Sequence, residues 1–318
     1  MSKLSPSLKG LINAPFARPG QTPAPRNIEA VYTKIADEAR ERKYGEKPWL
    51  ALSAAATFTL NSPSSLEPLL TLASSRLSNL SSNATLESAE FIREIGLKCI
   101  SFNGIPRTIN SLNAFRSFLS SAHPQLSSSL STTPSRQTTP QNISSMHARG
   151  RQLWESVYTP LDAKLEAKLA EAHPDLPVHI LGSHYGPLLS DPPSGDRHGL
   201  GSVGRSLTSV VAIACLRAQT GVGPQVLSHV FGLRKAVEQG AHVQEFAAST
   251  SGNGKGEEAE GIERLASDEG CEWILKSVDA ISAAMAQDNA AGGAGGGGFA
   301  TPMTGTGMGT GRKRESKL

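Results

Sequence analysis

Among the side chains of this 318-residue chain, the eight histidines and three cysteines are the ones whose chemistry lies closest to neutral pH. His229 stands beside an apolar stripe that includes Val226 and Leu233. There it is either a general base, given a pKa near the working pH and a substrate in reach, or a packed helix histidine bound to a carbonyl. His173, His179, His184 and His198 crowd one stretch together with Asp175, Asp191 and Asp196. Imidazoles mixed with carboxylates suit a metal or acid–base site. The five-residue step from His179 to His184 fits neither an α-helical face nor a zinc knuckle, so solvated or structural histidines are the plainer reading. No metal and no cofactor is expected. Arg107 follows Gly-Ile-Pro at a helix start, where free backbone N–H groups favour an anion. It either clamps a carboxylate in two-point geometry or pairs with Glu90 or Glu94.

Other motifs carry less. Cys99, Cys215 and Cys271 are far apart and never form Cys-x-x-Cys, which argues against a disulfide framework. Cys99 and Cys215 lie in apolar helical segments, where a small buried thiol is the default. Gly199 to Gly204 matches the dinucleotide glycine pattern by letter, but Pro192, Pro193 and Gly195 lead into it where a strand is required. Gly182-Ser183-His184-Tyr185-Gly186 places its serine in the wrong slot for a nucleophile elbow.

The elements that must position these residues read as helices. Ile28, Val31, Tyr32, Ile35, Ala36 and Ala39 share one face. Pro48 opens a second helix to Leu60, and Ser62-Pro63 looks like an N-cap followed by proline at the first helical position, opening a helix to Leu77. Ile92, Ile95, Gly96 and Cys99 mark the next helix, and Pro106 starts another through Leu119. Met146 to Ala172 reads as two short helices broken at Pro160, and His173 to Ser202 as loop with short turns. Arg205 to Gln219 is apolar nearly all round, the mark of a buried helix. Pro224 opens a helix ending at Gly240, Ser249 to Gly261 reads as loop, and Glu263 to Met285 as a final helix. Alternating strand patterns are nearly absent. The expected fold class is all-α.

Composition sets the outer limits. With 38% hydrophobic residues and a formal charge of +3, the chain gives no global reason to bind nucleic acid. Its longest unbroken apolar run, Val210 to Leu216, is far below the roughly 18 residues that span a bilayer, so no membrane insertion is expected. Residues 1–27 carry Lys3, Lys9, Arg18 and Arg26 with no acid, which faintly resembles a mitochondrial presequence. Five prolines argue against the helix such a leader needs and favour a disordered lead-in. Between residues 120 and 145 the chain is rich in Ser, Thr and Pro and reads as a linker. It separates a first helical half, 28–119, from a second, 146–286. Residues 287–318 form a glycine-rich tail ending in Arg312, Lys313, Arg314 and the tripeptide Ser316-Lys317-Leu318. That tripeptide is read by the peroxisomal import receptor, so the expected location is the peroxisome matrix.

Two stretches carry a resemblance. Residues 90–119, EFIREIGLKCISFNGIPRTINSLNAFRSFL, and 205–242, RSLTSVVAIACLRAQTGVGPQVLSHVFGLRKAVEQGAH, each place a buried helix, a Gly/Pro turn and a second helix in succession. They look like the central unit of the carboxymuconolactone decarboxylase and alkylhydroperoxidase D-like superfamily. With the HPDL and HYGPLL segments and the terminal Ser-Lys-Leu, the chain resembles fungal peroxisomal members, over roughly residues 28–285. The resemblance implies a helical bundle of two related halves that forms dimers or larger homo-oligomers. It implies that His184 and Tyr185 line a pocket; with the readings of His229 and Arg107 above, His229 and His184 are the candidate catalytic residues and Arg107 and Tyr185 the candidate ligand-binding ones. Hydroperoxidase members use Cys-x-x-Cys followed by His. If His229 is that histidine, Gln225 and Val222 occupy the thiol positions, and Ser206 stands where an acidic proton carrier is expected. In the first unit Asn113 lies near the histidine slot and Ile105 to Arg107 near the thiol positions. The expected function is therefore binding or non-thiol acid–base chemistry on a small organic acid or oxidised metabolite. A non-catalytic dimerising scaffold is the alternative, and an antioxidant hydroperoxide reductase the least favoured.

Overall fold

A computed structural model of the chain describes residues 3–78, 81–192, 201–247 and 254–292. Among the described residues every regular element is helical. In chain order these are α1 (Pro6–Ile12), α2 (Ile28–Glu41), α3 (Glu46–Thr59), α4 (Leu66–Leu77), α5 (Ala84–Lys98), α6 (Ile100–Asn103), α7 (Ile105–Ala122), α8 (Pro124–Ser129) and α9 (Ile143–Tyr158). They continue with α10 (Asp162–Ala172), α11 (Asp175–His179), a π-helix (Ile180–Leu189), α12 (Arg205–Gln219), α13 (Gly223–Glu238), α14 (Ala241–Ala247), α15 (Gly254–Leu265) and α16 (Asp268–Gly292). Ser316-Lys317-Leu318, His198 and Asp196 lie outside the described residues, as does most of the 287–318 tail.

The core is built on α3 and α12, which pack against each other at the centre. Both are apolar nearly all round, so neither has a face to give to water. Pro48 to Thr59 are buried without interruption on α3, and Ser206 to Leu216 on α12. Around this pair stand α2, α5, α13 and α16. A second, smaller cluster of Trp154, Tyr185 and Leu189 joins α9 to the π-helix. Those two elements touch backbone to backbone: a Cβ added to Gly150 would lie 2.5 Å from the Cα of Gly186. Only glycine at 150 permits that approach.

Several elements differ from the sequence-based expectation. The stretch 173–202 contains α11 and the π-helix in place of loop. Pro187 and the glycines at 182 and 186 disguise it, yet i→i+5 bonding satisfies the backbone around them. Pro63–Ser65 forms a 3₁₀ turn, and Ser62 bonds the Ser65 hydroxyl at 2.8 Å, so α4 begins only at Leu66. In the lead-in, Pro6 sits in the first turn of α1, where its missing N–H costs nothing, and Ser5 caps Leu8 N at 3.2 Å. No residue of α1 is buried, but Thr22 docks on the body through Asn61 O at 2.9 Å and Leu60 O at 2.8 Å. The Ser/Thr/Pro stretch contains α8 and is strapped to its neighbours: Arg116 donates to Ser127 O at 2.7 Å, and Ser131 N donates to the Glu90 carboxylate at 2.5 Å. The 254–261 stretch is the start of α15, and α16 runs on to Gly292.

Candidate functional site

His229, on α13, is turned into the protein and keeps only 8% of its exposure. Phe102 from α6 meets it edge-to-face with ring centres 5.9 Å apart, and Tyr158 from the end of α9 does so at 6.3 Å. Its Nδ1 is buried without a hydrogen-bond partner. Such an atom costs about 1–3 kcal/mol, which a fold retains only where something offsets it. Burial first, and then the Arg205 cation, push the imidazole down to about 4. At neutral pH His229 is therefore an uncharged ring able to accept or donate one hydrogen bond.

Tyr185, from the π-helix, donates its hydroxyl to Tyr158 at 3.1 Å. Burial pushes both phenols up, Tyr185 furthest because Tyr158 adds to the effect. Both stay protonated. Arg205 opens α12 and is half-buried, without a carboxylate in hydrogen-bond contact. Its guanidinium donates to Ser156 Oγ at 2.6 Å, Ser209 Oγ at 2.6 Å, Gly232 O at 2.8 Å and Ser156 O at 3.2 Å. Desolvation brings it down to about 10, so the charge survives at neutral pH. One cation, one neutral imidazole and two phenols thus meet where α6, α9, α12, α13 and the π-helix converge.

His184 belongs to the rim of this group. Its Nδ1 lies 3.1 Å from Ser101 Oγ, one residue before Phe102. The His179 ring is 5.3 Å away, because a π-turn brings residues five apart onto one side, which an α-turn does not. Burial, then His179, lowers the His184 pKa. Arg107 stands apart: it donates to Thr59 O at 2.5 Å, closing the C-terminal end of α3. Glu90 takes Arg93 at 2.9 Å, and Glu94 takes Arg136. Among the described residues no group of three or more His, Cys, Asp or Glu side chains could hold a metal ion.

Two neighbouring features were not legible in the sequence. Glu245, on α14, accepts from Ser206 N at 2.7 Å and Leu207 N at 3.3 Å, the first free N–H groups of α12. Desolvation raises its pKa, opposed by those two N–H groups. Lys98, wholly buried, donates to Asp191 Oδ1 at 2.7 Å, Leu189 O at 2.7 Å, Val203 O at 2.5 Å and Thr208 Oγ1 at 3.0 Å. It thereby joins α5, the end of the π-helix and the first turns of α12. No family model, curated protein or solved structure matches this chain.

Proposed function

We propose that this chain is a peroxisomal matrix protein that binds a small organic acid or oxidised metabolite at His229. In this reading the frame is an alkylhydroperoxidase D-like bundle of two related halves that associates with further copies of itself. The reading is carried by one observation: the unpartnered Nδ1 of His229 beside Arg205 and the Tyr158–Tyr185 hydroxyl pair. A ligand oxygen would satisfy that nitrogen, and the Arg205 charge favours an anion nearby. The two-halves frame draws support from Gly104 and Gly221, which both turn the chain at positive φ shortly before a proline-led helix, α7 or α13. An imidazole near 4 is a weak base at neutral pH, so His229 orients the ligand; proton transfer through it needs a ligand charge that raises its pKa. His184 and Tyr185 would line the approach and the wall.

The purified protein is to be screened by thermal unfolding against dicarboxylates, 2-oxo acids and acyl thioesters. A binder at 100 times its Kd adds about 2.7 kcal/mol. The His229→Ala protein should lose that stabilisation while keeping its far-ultraviolet spectrum. An undiminished shift in the variant, or no shift across the panel, removes the reading. Addressing is tested separately: a tagged chain lacking Ser316-Lys317-Leu318 should remain in the cytosol while the full chain enters peroxisomes, and identical distributions would refute it.

The scaffold alternative draws on Gln225, Val222 and Ser206, which stand where the resemblance calls for two thiols and an acid. It predicts an oligomer indifferent to every ligand in the panel.

A further inference from the structure

We propose that Cys99 and Cys215 form an oxidative modification site, a buried dithiol that hydrogen peroxide closes into an intramolecular disulfide. Their Sγ atoms lie 3.5 Å apart, and both residues are fully buried. A disulfide bond is about 2.05 Å long, so closure needs the two sulfurs, already in van der Waals contact, to approach by about 1.5 Å. Cys99 sits at the joint between α5 and α6, and Cys215 lies inside α12, so the bond would fasten two elements far apart in sequence. Cys271 is elsewhere, its sulfur 3.7 Å from Leu265 O and 3.8 Å from Ala266 O, and serves as an internal control.

The chemistry balances with peroxide as the named oxidant. One thiol loses its proton and its sulfur attacks a peroxide oxygen, giving a sulfenic acid; the departing hydroxide takes up the proton as water. The second thiol then attacks the sulfenic sulfur, the S–S bond forms, and a second water leaves. Two electrons pass from the sulfur pair to peroxide. Burial makes the first step slow, since it holds the Cys99 thiol protonated and admits peroxide only through local opening. The second step is fast because the partner is already in contact. The sulfenic acid is therefore captured before further oxidation to sulfinic acid. Closure would also fix α6, whose Phe102 lies against His229, to the helix that carries Arg205.

The test uses the full chain, treated with excess hydrogen peroxide, quenched, and alkylated in denaturant. The count of free thiols should fall from three to one. Trypsin cuts after Lys98, Arg107, Arg205 and Arg217, so residues 99–107 and 206–217 should appear as one linked species, lighter than their sum by two hydrogen atoms. Dithiothreitol should separate them. In a Cys215→Ser protein, Cys99 should instead proceed to sulfinic acid. Three surviving thiols under peroxide that oxidises an exposed control dithiol would overturn the proposal. So would sulfinic acid on either wild-type peptide without the link, or a link to Cys271 or between chains.

Discussion

Lys98→Ala should lower the free energy of unfolding by about 3–5 kcal/mol, the sum of buried acceptors left unpaired, at about 1–3 kcal/mol each, and of the cavity left by the side chain. The ammonium is wholly enclosed and holds the Leu189 and Val203 carbonyls, the Thr208 hydroxyl and Asp191. Asp191 retains 30% exposure and can turn to water, so the penalty falls mainly on the enclosed neutral acceptors and on the cavity left by the stem. Lys98→Met keeps the stem and should recover the packing part alone. The exposed pair Arg217–Asp279, 2.6 Å apart, is the contrast: Arg217→Ala should cost under about 1 kcal/mol. Urea titrations of the three variants decide it, and a Lys98→Ala loss below that of Arg217→Ala would refute the reading.

Acid should destabilise the fold through His229 by roughly 3 kcal/mol, the free energy of moving its pKa from the ordinary 6.5 to about 4. Between those values the unfolded chain binds the extra proton and the folded chain does not. The contribution is thus complete above about pH 6.5 and is lost as the pH falls toward 4. Glu245 and Glu258 act in the opposite direction, because burial raises their carboxyls and favours the folded state as they protonate. The informative quantity is therefore the difference between the wild type and His229→Phe. Stability measured from pH 7 to pH 4 should fall more steeply in the wild type. Parallel curves would mean that His229 is solvated when folded.

These two residues differ in how much of their role the sequence discloses. His229 announces itself, because an imidazole next to an apolar stripe is readable from spacing alone. Lys98 does not: its acceptors come from positions 189 to 208, and no local pattern encodes a partner so remote. Arg205 falls between them, since a charge that opens a helix apolar on all sides has little choice but to be partly enclosed. The central helices α3 and α12, and the break at Pro160, follow from apolar runs and from proline's missing donor. The π-helix escapes that logic because its period is not 3.6 and its glycines and proline imitate loop. The Glu245 carboxylate at Ser206 is a second case of chemistry supplied from afar: residue 206 itself offers only a hydroxyl.

The Gly150–Gly186 crossing sets how the seam between α9 and the π-helix can move. Main chain resting on main chain has no rotamers to yield, so the α9 seam shifts as one block or stays shut. The four-residue α6 is a softer element, and its partly exposed Phe102 packs against the His229 ring. Under the binding proposed at His229, a sulfur link at Cys99 would stiffen the short helix that carries Phe102 and so set how readily that ring yields to a ligand.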